Sequence, residues 1–259
     1  MSEDTDPDLR APLPDPWQAL RAHTPARIGL GRSGTSLPTR EVLAAGVAHA
    51  RARDAVHAAM DCAALRAALA RLGLQAIEVD SAAPDRARYL RRPDLGRQLS
   101  AESRQALGHH PRLRQDDALL LVIADGLSAT AIARHAVAVC AQILAQRPAD
   151  WSVGPVILAR QARVALGDAC GDLLGAPMVA VLIGERPGLS TCDSLGIYLT
   201  HTPGPGLTDA DRNCISNIHA AGLSPAQAAA KLWWLIGAAQ LLGATGVALK
   251  DESQGLLPG

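Results

Sequence analysis

The sequence predicts an α/β fold: a mostly parallel sheet with flanking helices, preceded by a mainly helical N-terminal region. Three observations carry this. Ala118 to Ala124 (ALLLVIA) is a continuous apolar run, too short for a typical helix and suited to a strand buried on both faces. Two similar runs, Val153 to Ala159 and Met178 to Ile183, follow it with helix-length segments between them. Before about Asp116 the chain is instead rich in Arg and Ala with helical spacing.

Taken in order, residues 1–15 are acidic and Pro-rich and are expected to form a disordered tail. Residues 16–115 form the helical region. Thr39 is a candidate N-cap, with Glu41 in the first turn of a helix to about Met60. Asp61 to Leu72 reads as a second helix ended by Gly73, Gln75 to Val79 as a short strand, and 84–107 as short helices. Residues 116–259 form the α/β domain. Asp125 and Gly126 turn the 118–124 strand into a helix over 127–146, and the 153–159 strand leads to a helix over 161–174. The 178–183 strand empties into Glu185, Arg186, Pro187 and Gly188, and Ser194 to Thr200 is the next strand. A polar cluster around Cys214, Ser216, Asn217 and His219 follows in a loop. Thr208-x-x-Asp211 resembles a capping box, and Ser224, Pro225 and Gln227 make a stronger one for a helix to Leu242. Val247 to Lys250 is expected as a last strand. Helix 225–242 is apolar around most of its girth, so it should be buried on two sides, by the sheet and by a partner protein.

Composition limits the function. The chain has 259 residues, 48% hydrophobic and 19% charged, enough for a sizeable core. Net charge is zero, and with no Phe, two Tyr and four Trp there are few plates for stacking bases, so no nucleic-acid partner is expected. The arginines at 86, 88, 91, 92 and 97 read as a solvated helix face, diluted by Asp85 and Asp94. Five scattered cysteines without a CxxC pattern fit free thiols in a reducing cytosol. The N-terminus has no apolar run of signal-peptide type. Leu232 to Leu249 is uncharged, but its three glycines, Gln240 and Thr245 divide it into a helix and a strand, so no membrane span is expected.

Several motifs are weak. GLGRSG at 29–34 matches GxGxxG, yet no full strand precedes it and Pro38 delays the helix; a glycine turn docking the N-terminal arm suits it better than dinucleotide binding. GLSAT at 126–130 has Thr130 where a nucleophile elbow needs glycine, so Ser128 reads as a helix-start residue. His49, Arg53, His57 and Asp61 recur on one helix face, but the histidines are two turns apart and make no chelate; no metal site is expected. Asn217-x-His219-x-x-Gly222 nearly matches DxHxxG, in which a histidine ligates the cobalt of cobalamin. Asn stands where the orienting Asp would be, which leaves His219 as a hydrogen-bonding loop residue. Glu185 is the most pointed candidate: a carboxylate held by a Pro-Gly turn at the carboxyl end of a strand, where α/β sheets bind ligands.

Longer segments carry a resemblance. IGLGRSGTSLPTREVL (28–43), AHARARDAVH (48–57), DRARYLRRPDLGRQLS (85–100), ADGLSA (124–129) and GERPGLS…DSL…DADRNCISNIH resemble the small subunit of ethanolamine ammonia-lyase, over about residues 16–250. The resemblance implies a Rossmann-like domain that covers adenosylcobalamin, with the cofactor's own base kept on cobalt, at an interface with a catalytic large subunit. It implies an enzyme converting ethanolamine to acetaldehyde and ammonia by radical chemistry, active only with that large subunit and assembled as a higher-order oligomer of heterodimers. It implies cofactor contacts at Val164, Glu185 and Cys214, and no catalytic residue in this chain. The N-terminal region would contact the large subunit. The implied location is cytoplasmic, with a bacterial microcompartment as the alternative. Without the resemblance, the residues read as a stand-alone nucleotide-binding α/β module with a binding or regulatory role.

Overall fold

The structure is a computed structural model that describes residues 17–24, 26–113 and 118–253. The expected tail over 1–15 and the expected boundary at 115/116 lie outside the described residues. The chain divides into two compact units, Met1–His49 and Ala50–Gly259.

In the first unit, a short helix α1 (Gln18–Arg21) and the first turns of α2 (Thr39–His57) flank the glycine turn. Gly29 has φ +55°, and a side chain there would collide with the Trp17 ring. Ser33 and Ser36 exchange backbone hydrogen bonds of 2.7 and 3.1 Å. The turn thus closes on its own arm, and among the described residues no strand leads into it as dinucleotide binding requires. This unit leaves Leu37, Val42, Leu43 and Val47 at least half exposed.

The second unit is an α/β layer structure. Asp61 caps α3 (Cys62–Arg71), accepting from the Ala64 N–H at 2.9 Å. Strand β1 (Ala76–Asp80), helix α4 (Arg86–Arg91), a 3₁₀ turn (Leu95–Arg97) and α5 (Ala101–Gly108) follow. Strand β2 (Ala118–Ala124) leads through α6 (Ala129–Ala131) and a π segment (Ile132–Ala136) into α7 (Val137–Ala145). Then come β3 (Ser152–Arg160), α8 (Leu166–Leu174), β4 (Met178–Gly184), β5 (Leu195–His201), β6 (Asn213–Ile218) and α9 (Pro225–Leu242).

The described strands form a six-stranded sheet in the order β1-β3-β2-β4-β5-β6. Pairing is parallel from β1 through β4 and antiparallel for β4–β5 and β5–β6. The sheet is therefore mixed, and a mostly parallel, Rossmann-like sheet is more than the pairing supports. The cause is local: β4 and β5 are joined by ten residues without a helix, too short a link for a parallel crossover. β6 falls where only a polar loop was expected. Its apolar residues are Ile215 and Ile218, an odd spacing for a strand, made possible by Asn217 at φ +61°. The expected last strand at 247–250 is a 3₁₀ turn, Gly246–Ala248.

Two cores lie on opposite faces. On one, α3, α7 and α9 cover alternate residues of β2, β4, β5 and β6, such as Leu121, Leu182, Ile197 and Ile215. The second side of α9 is filled from within the chain: it packs on α7, with Trp233 donating to the Ile143 carbonyl at 3.0 Å and meeting Trp151 edge-on at 5.7 Å. No partner protein is needed to explain that burial. On the other face, α5 and α8 cover Leu120, Val122, Val179 and Val181. They stop short of the antiparallel half. Tyr198 is only partly buried, and Cys214 and Ser216 on β6 are exposed, so among the described residues no helix covers this part of the face.

The edge of α8 is pinned by a buried ion pair. Arg212 Nη1 donates to Asp168 Oδ1 at 2.6 Å and to Thr200 Oγ1 at 3.1 Å, with the Arg212 side chain 1% exposed. Burial raises the Asp168 pKa, and Arg212 works against that. Replacing Asp168 by Ala strands a buried cation, so D168A should lose about 3–5 kcal/mol of stability in urea unfolding. The double variant D168A/R212M should recover most of it; a double variant no better than the single would show that the pair is not what holds α8.

Candidate functional site

The site forms at the carboxyl ends of β2, β3 and β4, where their following loops converge. A cavity of about 430 Å³ opens there, lined by Leu127, Val164, Ile183, Glu185 and Tyr198, among others. Its shape depends on two glycines. A Cβ on Gly184 would strike the Ser128 carbonyl, and one on Gly126 (φ +54°) would strike the Gly184 carbonyl. Leu127 N–H donates to that same Gly184 carbonyl at 2.9 Å. The β2 and β4 ends can therefore cross at backbone distance, which leaves the space above them open.

The third loop is placed by Asp125, whose side chain is 2% exposed. Its carboxylate accepts the Gln161 and Ala162 N–H groups, each at 3.0 Å, and lies 3.5 Å from Arg86 Nη1. Desolvation raises its pKa; the Ala162 N–H, Arg86 and the Gln161 N–H oppose the rise. Gln161 adopts φ +53°, a left-handed turn that this double hydrogen bond supports and that aims the following residues at the cavity. Arg86 also donates to the Gly126 carbonyl at 2.8 Å and to the Val56 carbonyl at 2.7 Å. The expectation of a solvated arginine face is thus corrected at Arg86, which is 13% exposed and ties two loops together.

Val164 lies in the turn before α8 and Glu185 in the first loop position after β4; both line the cavity. Glu185 is fixed by Ser194, whose Oγ donates to Glu185 Oε2 at 2.5 Å and whose carbonyl accepts the Glu185 N–H at 2.9 Å. Gly196 leaves room for the carboxylate, since Glu185 Oε1 lies 2.9 Å from where a Cβ would stand. Cys214 is not in the cavity wall but next to it. It stands opposite Tyr198 in the β5–β6 ladder, on the helix-free face, and the Tyr198 hydroxyl is its hydrogen-bond partner. Desolvation and the charge of Glu185 push the Cys214 thiol up, against the Tyr198 hydrogen bond. Val164 and Glu185 thus share one cavity, while Cys214 lies beside it and touches it through Tyr198. Sequence reasoning missed Tyr198; its signal would have been a lone tyrosine on an otherwise aliphatic strand.

The other candidates lie elsewhere. Ser128 is fully buried and spent on structure: its Oγ donates to the Cys192 carbonyl at 2.9 Å and accepts the Ala131 N–H at 3.2 Å. His219 sits in the turn after β6, where Nδ1 accepts the Ala221 N–H at 3.3 Å. Among the described residues there is no cluster of three side chains that could hold a metal ion, and no helix is long and apolar enough to cross a membrane. Cys140 and Cys170 are core thiols, pushed up to about 12 by desolvation.

Residues 14–250 match the family model described as ethanolamine ammonia-lyase light chain. The chain is 55% identical over 245 residues to an ethanolamine ammonia-lyase small subunit of Bradyrhizobium diazoefficiens, covering 94% of this chain and 93% of that one. It is 51% identical to the protein of that name from Ralstonia nicotianae (98% and 95% covered) and 57% identical to that of Rhodopseudomonas palustris (90% and 89%).

The loop carrying Glu185 is tethered at its far end. Asp193 Oδ2 accepts from Arg134 Nη1 at 2.7 Å, with His135 at 3.4 Å, both on the π segment. Burial acts to raise the Asp193 pKa, but Arg134 and His135 together outweigh it and the net value lies below the ordinary 3.8. A depressed carboxylate pKa contributes stability above the ordinary value and loses it as the pH falls through the folded-state value. D193N should therefore speed amide exchange over 185–194 about two- to fivefold at neutral pH, and variant and wild type should converge in acid below about 3.8. Equal exchange at pH 7 would show the tether to be idle.

Proposed function

The chain belongs to the ethanolamine ammonia-lyase light-chain family, and we propose that it is the small subunit of an adenosylcobalamin-dependent ethanolamine ammonia-lyase, covering the cofactor at the interface with a catalytic large subunit. The observation that carries this reading is the half-built cavity: strand-end loops on one side, and beside them a sheet face with no helix over it. A cavity of about 430 Å³ is in the range that holds a drug-sized ligand, too small to enclose a corrin with its nucleotide and suited to one side of it.

The residues present fit that ligand. A corrin carries methyl groups and a rim of carboxamides. Val164, Leu127 and Ile183 offer apolar contact, and the Glu185 carboxylate can accept an amide N–H. Cys214 and Tyr198 add a thiol and a hydroxyl at the rim. When bound base-on, adenosylcobalamin supplies homolysis of its cobalt–carbon bond and the radical that takes hydrogen from ethanolamine, on the way to acetaldehyde and ammonia. This chain's own part is to hold one face of the cofactor, orient it and keep water out. It supplies no group to the bonds made and broken.

The N-terminal region is proposed to contact the large subunit. Leu43 and Val47 are 64% and 50% exposed one turn apart on α2, with Val42 (54%) and Leu37 (50%) beside them. Such a contiguous apolar stretch suits burial against another chain. The proposed domain division is 16–115 for this contact and 116–259 for the cofactor. A cytoplasmic site, or a microcompartment, and assembly into a larger oligomer of heterodimers complete the reading.

Co-expression with the large subunit should give a complex that releases ammonia from ethanolamine only with adenosylcobalamin, while the isolated chain is inactive. Tight nucleotide binding by the isolated chain, with no gain from the partner, would support the stand-alone module instead. In the complex, E185A should raise the cofactor Kd about tenfold and leave kcat at saturating cofactor within about twofold. An unchanged Kd would remove Glu185 from the site. L43E/V47E should weaken co-purification of the two subunits without changing the unfolding midpoint of the isolated chain; undiminished co-purification would place the interface elsewhere.

A further inference from the structure

The cavity walls hold an excess of arginine that a neutral corrin rim does not call for. Arg97, Arg163 and Arg186 all line it, against two carboxylates, Glu185 and Asp209. Both acids have other business. Glu185 accepts the Ser194 hydroxyl, and Asp209 lies 3.7 Å from the Arg212 guanidinium. Among the described residues neither Arg97 nor Arg186 makes an ion pair. The arginines are also brought in by separate parts of the chain: Arg97 ends the 3₁₀ turn before α5, Arg163 precedes α8, and Arg186 follows β4.

Their approach is built into the backbone. Arg163 N–H donates to the Gly96 carbonyl at 2.8 Å, which docks the 3₁₀ turn on the loop ahead of α8. Gly96 is required there: a Cβ would stand 2.5 Å from the Tyr89 ring and 2.9 Å from the Gln161 carbonyl. Next to this contact is the start of α8, whose first N–H groups bond back within the turn, Leu166 to the Arg163 carbonyl at 3.1 Å and Gly167 to the Val164 carbonyl at 3.0 Å, so the arginine side chains are the donors left to face the cavity. Three arginines lining one cavity favour negative charge there.

Building on the reading above, we propose that Arg97, Arg163 and Arg186 form an anion subsite that holds the phosphodiester of the cofactor's nucleotide loop. Guanidinium groups match phosphate oxygens with paired N–H donors, which a corrin amide cannot exploit as fully. The subsite would distinguish the complete cofactor from corrinoids that lack the nucleotide, and would fix which edge of the ring enters the cavity.

The test uses the complex with the large subunit and two probes, cobalamin and cobinamide, which lacks the phosphodiester and the nucleotide; binding is followed by the visible absorption of the corrinoid. R97A/R186A should raise the cobalamin Kd at least about tenfold and leave the cobinamide Kd within about twofold, with R97K/R186K recovering part of the loss. Wild-type affinity for cobalamin should fall as salt rises, and the double-Ala variant should show less of that fall. Loss of equal size for both corrinoids, or no loss for cobalamin, overturns the subsite while leaving the cofactor reading in place. Binding of ATP or inorganic phosphate by the wild-type complex, with no binding of either corrinoid, overturns both.

Discussion

One buried carboxylate holds the site together. Asp125, at the end of β2, takes the backbone N–H groups of the β3–α8 loop and lies beside Arg86, which in turn holds the loop after β2. Desolvation of a carboxyl in the interior is costly and raises its pKa, and the hydrogen-bond donors around it oppose that rise. Val164 and Arg163 owe their position to it, and Gly96 is docked against the loop it organises. The Gly126–Gly184 crossing then sets how closely the neighbouring β4 loop approaches. Both constraints act through backbone atoms, so the cavity wall is defined before any ligand side chain is considered.

The change from parallel to antiparallel pairing has a functional side. In a sheet that stays parallel, each crossover adds a helix, and both faces are covered. By returning directly through residues 185–194, the chain saves that helix over β5 and β6. Tyr198 and Cys214 gain access to the surface only because of this. The cavity sits at the border between the covered and the uncovered half, which is where a second surface could close on it.

Much of the fold was legible in the chain. The β2 and β4 runs are apolar throughout and needed only their length to be recognised, and the Ser224 box marks the start of α9 to the residue. Strand direction was not legible, because an apolar run looks the same either way round. β6 was hidden by Asn217, whose left-handed backbone breaks the two-residue alternation that identifies a strand. Within the site, Glu185 was visible because Pro187 and Gly188 mark its turn. Asp125 could be read as a turn residue but not as the anchor of a loop 36 residues further on. The cavity arginines are scattered across 90 positions, and Arg97, exposed as the solvated run implies, still lines the cavity, which its place in the sequence does not reveal.

The protonated state of Cys214 carries a chemical consequence. A cysteine on an open face is exposed to oxidants, and its rate of attack follows the thiolate fraction. Here partial desolvation against the sheet, helped by the nearby Glu185 charge, raises the thiol's pKa above its ordinary value although the residue as a whole is exposed. Conversion to sulfenic acid is correspondingly slow. The uncovered half of the sheet can thus display a soft, polarisable contact atom to solvent without that atom being readily lost to air.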